Sequence, residues 1–167
     1  ASLLDFANQG GKYFISTSFN HNTNIDAFTG VLPISSVSTQ NFGSARLWGA
    51  ARGDSALVTR VVEDRTVADS LQIRDTVNFP NLTTQFFAIT GVGAFNIDST
   101  DTEIIYEAQL SNGANTNEWT DTKIVASGRR SNGKLNQVFF NVQLFELKGD
   151  PNNLNTLFSH ILNVEFK

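Results

Sequence analysis

Apolar side chains recur at every second position along several stretches of this sequence, and that spacing most narrows what the chain can fold into. Tyr13, Ile15, Thr17 and Phe19 fall on one side of an extended chain, with Phe14, Ser16 and Ser18 on the other. Ile104, Tyr106, Ala108 and Leu110 alternate with Ile105, Glu107 and Gln109, and Val138, Phe140, Val142 and Leu144 alternate with Asn141 and Gln143. Leu162, Val164 and Phe166 alternate with Asn163, Glu165 and Lys167. A two-residue period puts one set on a buried sheet face and the other on the opposite face, whereas an amphipathic helix repeats every 3.6 residues. Shorter segments at 45–48, 57–62, 71–74, 83–89 and 124–125 bring the strands to about nine, at the spacing of about 8 to 12 residues found in sandwiches and barrels.

The composition points the same way. The chain holds 18 Asn, 16 Thr, 14 Ser and 12 Gly but only 5 Lys and 6 Glu. Asn, Ser and Thr compete for the backbone and Gly weakens helix interiors, while Thr, Phe, Val and Ile suit a pleated surface. The 14 Phe supply apolar bulk that needs no hydrogen-bond partner, which suits facing sheets. Asn112-Gly113 and Asn132-Gly133 are tight-hairpin dipeptides, and Gly149-Asp150-Pro151 marks a break. A brief helix is allowed around 153–160, and 20–39 reads as long connections with one short strand. With 167 residues, the expectation is an all-β protein: a single-domain antiparallel β-sandwich, jelly-roll-like or immunoglobulin-like, over 12–167, preceded by an N-terminal extension at 1–11.

Several function classes recede on composition. The absence of Cys removes thiolate metal sites, iron–sulfur clusters and disulfides. A net charge of −4, scattered along the chain, offers no basic patch for nucleic acid. No apolar run nears the roughly 20 residues of a membrane-spanning helix, so no membrane insertion is expected. The opening Ala1-Ser2 reads as a processed end, and the expected location is extracellular or at the cell surface.

Each candidate site has a plain counterpart. His21 and His160 lie outside any nucleophile or zinc spacing and read as surface or rim residues. Glu103 and Glu107 share one face of a strand but show no apolar pocket to hold one of them protonated, so no enzyme is expected. Asp98, Asp101 and Glu103, with Thr100, offer hard oxygen donors to calcium, without the glycine-centred spacing of an EF-hand; a solvated turn is the plain reading. Arg52, Gly53 and Asp54, followed by Ser55, resemble the tetrapeptide through which adhesion ligands engage integrin receptors, where the plain reading is a β-turn. Asn81-Leu82-Thr83 is a glycosylation sequon. Trp119, in the polar stretch 115–121, suits stacking on a glycan, with a core-edge tryptophan as its alternative.

The N-terminal segment carries the main functional expectation. Leu3, Leu4 and Phe6 precede a Gly10-Gly11 joint, a pattern suited to an arm that inserts beside an open strand of a second copy. The strand expected at Leu162, Val164 and Phe166 is the candidate receiving edge. Head-to-tail repetition of such a contact builds a fibre, so copies of itself are the expected partners. In its cysteine-free, Thr-, Asn- and Phe-rich β character the chain resembles self-assembling surface subunits, among them non-helical pilus subunits and viral or phage coat proteins. That resemblance implies a non-enzymatic structural subunit forming an extracellular, pilus-like homopolymer by donor-strand exchange. A carbohydrate- or receptor-binding module is the rival reading, and a viral or phage coat subunit the third.

Overall fold

The structure, a computed structural model, describes residues 2–19, 24–28, 30–41, 47–52, 77–83, 93–98, 100–110, 124–147 and 150–167. A short helix α1 (Leu3–Asn8) leads into β1 (Tyr13–Ser16). The described strands continue with β2 (Ser36–Asn41), β3 (Leu47–Arg52), β4 (Leu82–Thr83), β5 (Gly93–Asn96), β6 (Thr102–Leu110), β7 (Ile124–Ser131) and β8 (Lys134–Phe140). A 3₁₀ turn at Leu144–Leu147 precedes helix α2 (Pro151–His160), which widens into a π-helical turn at Ile161–Glu165. The protein is thus mostly β with few helices. Six strands form one sheet in the order β1-β8-β7-β6-β3-β4, and β2 pairs with β5 in a separate two-stranded sheet.

Local signals explain the best-formed part. Asn132 and Gly133 take φ values of 53° and 79°, the left-handed conformation that the dipeptide tolerates, and join β7 to β8 as a tight hairpin. On β8 a register shift leaves Arg129 opposite Gln137 but Arg130 opposite Leu135. The extra residue, Asn136, reverses the alternation, so Leu135 shares a cluster with Val138 and Phe140 while Phe139 joins the other. Phe79, Leu82, Ile105, Tyr106, Val125, Leu135, Val138 and Phe140 meet Leu157 and Ile161 of the C-terminal helix in the larger core. Tyr13, Ile25, Leu32, Ile34, Phe95, Ile124 and Phe139 form the second. Burial pushes the Tyr13 phenol up to about 12, against the pull of Arg129, and its hydroxyl donates to the Val31 carbonyl. β1 sits between the two clusters, with Phe14 stacked on Phe140 at 5.3 Å.

Three expectations need correction. The main sheet is mixed rather than antiparallel, because β1 runs parallel to β8, Tyr13 beside Gln137 and Ser16 beside Phe140. A two-residue period encodes which side chains share a face but not strand direction. The segment holding Leu162, Val164 and Phe166 is helical, not a strand. Asp150 caps the N-terminus of α2 by accepting from the Asn152 and Asn153 amides, and Pro151 occupies the first turn. Leu154, Leu157, Phe158 and Ile161 then follow helical spacing and face the core. Leu144, expected in a strand, lies in the 3₁₀ turn. The brief helix at 153–160 is present and longer than expected. The segments at 57–62 and 71–74, most of 83–89 and the Asn112-Gly113 turn lie outside the described residues.

Gly128 marks a close approach within the sheet. A Cβ there would stand 2.7 Å from Leu135 Cδ2, 2.8 Å from Ile105 Cδ1 and 3.0 Å from the Gln137 carbonyl oxygen. Gly128→Ala is therefore expected to destabilise the protein by about 1–3 kcal/mol through overpacking. A thermal melt reads this directly, and an unchanged midpoint would contradict the packing described.

Candidate functional site

Glu165 is the most heavily engaged polar side chain of the core, 7% exposed. The π-helical turn explains its position. Residues five apart diverge on an α-helix with 3.6 residues per turn, but the Phe166 amide donates to the Ile161 carbonyl at 2.8 Å across the wider turn. His160 Nε2 then lies 3.2 Å from Glu165 Oε1, and the His160 ring meets Phe79 edge-on at 5.0 Å. From the sheet, the Leu135 amide donates to Glu165 Oε2 at 2.7 Å, and Arg130 Nη1 lies 3.2 Å from the same oxygen. Arg130 also reaches Glu103 through Nε and Nη2, at 3.1 and 3.0 Å. Burial alone would raise the Glu165 pKa, but the Leu135 amide, Arg130 and His160 together hold it below the ordinary carboxylate value. Burial likewise works against the charge on Arg130, and Glu103 and Glu165 outweigh it, raising its pKa. Chemically this cluster is a clamp that ties the C-terminal helix to β6, β7 and β8. His160 is half-buried within it rather than a free surface residue.

The calcium candidates do not converge. Asp98 Oδ1 accepts from the Thr100 amide and hydroxyl at 3.0 and 2.8 Å, bonds that lower its pKa. Asp101 Oδ2 lies 3.0 Å from Arg129 Nε, close enough for ionic attraction but without hydrogen-bond alignment. Glu103 is taken by Arg130. The pairing of β6 with β7, Thr102 opposite Arg129, sets the two arginines beside these carboxylates. No group of three metal-ligating side chains forms among the described residues. Glu103 and Glu107 also fail to act as a pair, because the ladder shifts on both sides of Tyr106 and Glu107 is buried.

Arg52 ends β3 opposite Tyr106, while Gly53, Asp54, Trp119 and His21 lie outside the described residues. Asn81 and Thr83 of the sequon are exposed around a buried Leu82.

The N-terminal residues are a helix rather than an extended arm. Ser2 and Asp5 form a reciprocal capping box: Ser2 Oγ accepts from the Asp5 amide at 3.1 Å, and Asp5 Oδ2 accepts from the Ser2 amide at 2.9 Å. These bonds lower the Asp5 pKa. Part of the segment rests on its own body, since Ala7 packs on the second cluster and the Phe6 ring covers Gly11. Leu3, Leu4 and Phe6 nevertheless remain 36%, 40% and 47% exposed, and Leu162 and Val164 53% and 50%. Phe166 instead packs against the larger core. Lys12 Nζ donates to the Lys167 carbonyl at 3.0 Å, bringing both segments to one end of the molecule.

Sequence reasoning missed the groove beside β1. This strand is an edge among the described residues. Phe14, Ser16, Thr17, Gln143, Leu144, Phe145 and Phe158 line a groove of 470 Å³ there, with Phe145 63% exposed. The signal was absent because Phe145 and Phe158 come from elements whose packing depends on the placement of α2.

Glu165→Gln is expected to lower stability at neutral pH by about 1–3 kcal/mol, the scale of a hydrogen bond to a charged group. The depressed pKa gives the wild type a contribution that is present above the unfolded-state value and lost as pH falls through the folded one. Denaturant melts across the acid range should show that loss in the wild type and a flatter profile in the variant. Comparison with known proteins finds no matching family model, no matching curated protein and no matching solved structure.

Proposed function

We propose that this protein is a non-enzymatic structural subunit that self-assembles into an extracellular polymer. One observation carries the reading: large apolar side chains stand in water on α1 and on the π-helical turn, while the strongly charged cluster of the core is closed on itself. Leaving Leu3, Leu4, Phe6, Leu162 and Val164 exposed costs hydrophobic stabilisation that contact with a second copy would recover, at about 25 cal/mol per Å² of apolar surface covered. The recessed counterpart is the aromatic groove beside β1. An amphipathic helix seated in such a groove joins two copies head to tail, and a contact between two different surfaces propagates into a fibre. The mode differs from strand donation in that α1 keeps its helix. An extracellular setting follows from the likeness in composition to surface subunits. We further infer that the layer begun by β2 and β5 completes a sandwich of about nine strands over the main sheet.

The test compares the wild type with Leu3→Ser/Leu4→Ser/Phe6→Ser on the helix and Phe145→Ser at the groove. Assembly is followed by light scattering and negative-stain microscopy. The wild type is expected to form filaments, with association at least about tenfold weaker in either variant, since burying one Leu or Phe contributes about 1.5–3 kcal/mol. Melting temperatures should fall by no more than a few degrees, because the substituted side chains are already partly solvent-exposed and lie outside both core clusters. A wild type that stays monomeric at its highest soluble concentration, or filaments undiminished in both variants, would refute the reading.

A further inference from the structure

We infer that the outer flank of α2 is a binding site for a neutral, polyhydroxylated ligand, a glycan chain. Asn78, Asn152, Asn155, Thr156, Ser159, His160, Asn163 and Val164 line an open groove of 480 Å³. That volume lies within the roughly 300–1,000 Å³ of small-molecule sites. The described lining is rich in neutral polar groups, with four carboxamides and two hydroxyls. Asn is a weak helix former, so Asn152 and Asn155 within α2 are not explained by the stability of that helix.

Ligand class follows from the donor set. A carboxamide presents a donor and an acceptor on adjacent atoms, as a sugar does with neighbouring hydroxyls, so an amide such as that of Asn152 or Asn155 can meet a hydroxyl pair. Among the described lining residues the groove supplies no free charge. His160, the one titratable group among them, has Nε2 3.2 Å from Glu165, whose carboxylate is in turn held by Arg130 and the Leu135 amide. An anionic or cationic ligand would find no free counter-charge among these residues. The His160 ring is fixed by Glu165 and by the edge of Phe79, and half-exposed Val164 offers an apolar rim for the C–H face of a sugar. Asn163 Nδ2 donates to Ser159 Oγ at 3.3 Å, which orients two of the lining groups beforehand.

This inference does not depend on self-assembly, and only Val164 belongs to both surfaces. The test therefore uses Asn155→Ala/Thr156→Ala, both positions exposed and lining the groove. Calorimetric titration of the full chain, in whatever assembly state it adopts, is run with neutral cello-, malto- and chito-oligosaccharides, a heparin oligosaccharide and an uncharged peptide. Binding is expected for at least one neutral oligosaccharide, about tenfold or more weaker in the double variant, with melting temperature and assembly unchanged. No binding across the neutral panel overturns the proposal, as does binding the double variant leaves intact, or preference for heparin or the peptide. Because filaments are scored separately, failure here leaves the assembly reading standing, and the converse holds.

Discussion

The attachment of the C-terminal helix to the main sheet rests on one buried carboxylate. The bulge at Asn136 turns the Leu135 side chain into the larger core and leaves its amide facing Glu165, which accepts it at 2.7 Å. An unpartnered buried amide would cost about 1–3 kcal/mol, and an unpartnered buried carboxylate more. Each therefore requires the other. Arg130 supplies the compensating charge from β7, and Glu103 balances Arg130 from β6. With the helix held there, Leu157 and Ile161 close the core over Val138 and Phe140, and Phe158 stands 5.3 Å from Phe14 on the edge strand. The aromatic groove beside β1 and the amide groove on the outer flank of α2 both exist only because the helix is held in this position.

The same docking divides the apolar residues of the two terminal segments. On the C-terminal helix Leu154, Leu157, Phe158, Ile161 and Phe166 turn inward, while Leu162 and Val164 face water. On α1 no residue is fully buried, and Ala7 and the Phe6 ring touch the body. Gly10, with φ of 80°, turns the chain between that helix and β1. A helix bound this lightly at a glycine joint can be covered by a neighbouring copy without disturbing either core. The charged groups behave oppositely, since Asp101, Glu103, Arg129, Arg130 and Glu165 are spent on bonds between elements.

Features that depend on adjacent residues are legible in the sequence. The alternation from Ile104 to Leu110 lies within β6, that of Val138 and Phe140 within β8, and Asn132-Gly133 makes the hairpin. At the C-terminus local pattern misleads. Leu162, Val164 and Phe166 alternate as a strand would, yet Asp150, Pro151 and the helical spacing of Leu154, Leu157, Phe158 and Ile161 govern the segment. A helix started by a cap and held by a core overrides a three-residue alternation at its end. For the calcium candidates, donor type and spacing are visible in the sequence, but the arginines set opposite them by strand pairing are not.

Local chemistry thus determined that the chain is β-rich and where its clearest strands and one hairpin lie, because backbone preference and side-chain period act over a few neighbouring residues. Tertiary structure alone decided that β1 runs parallel to β8, that Glu165 is a buried joint, and that two grooves flank the C-terminal helix. Those features join residues more than a hundred positions apart, or depend on which of two faces a bulge turns inward, and nothing in a local pattern specifies such a meeting.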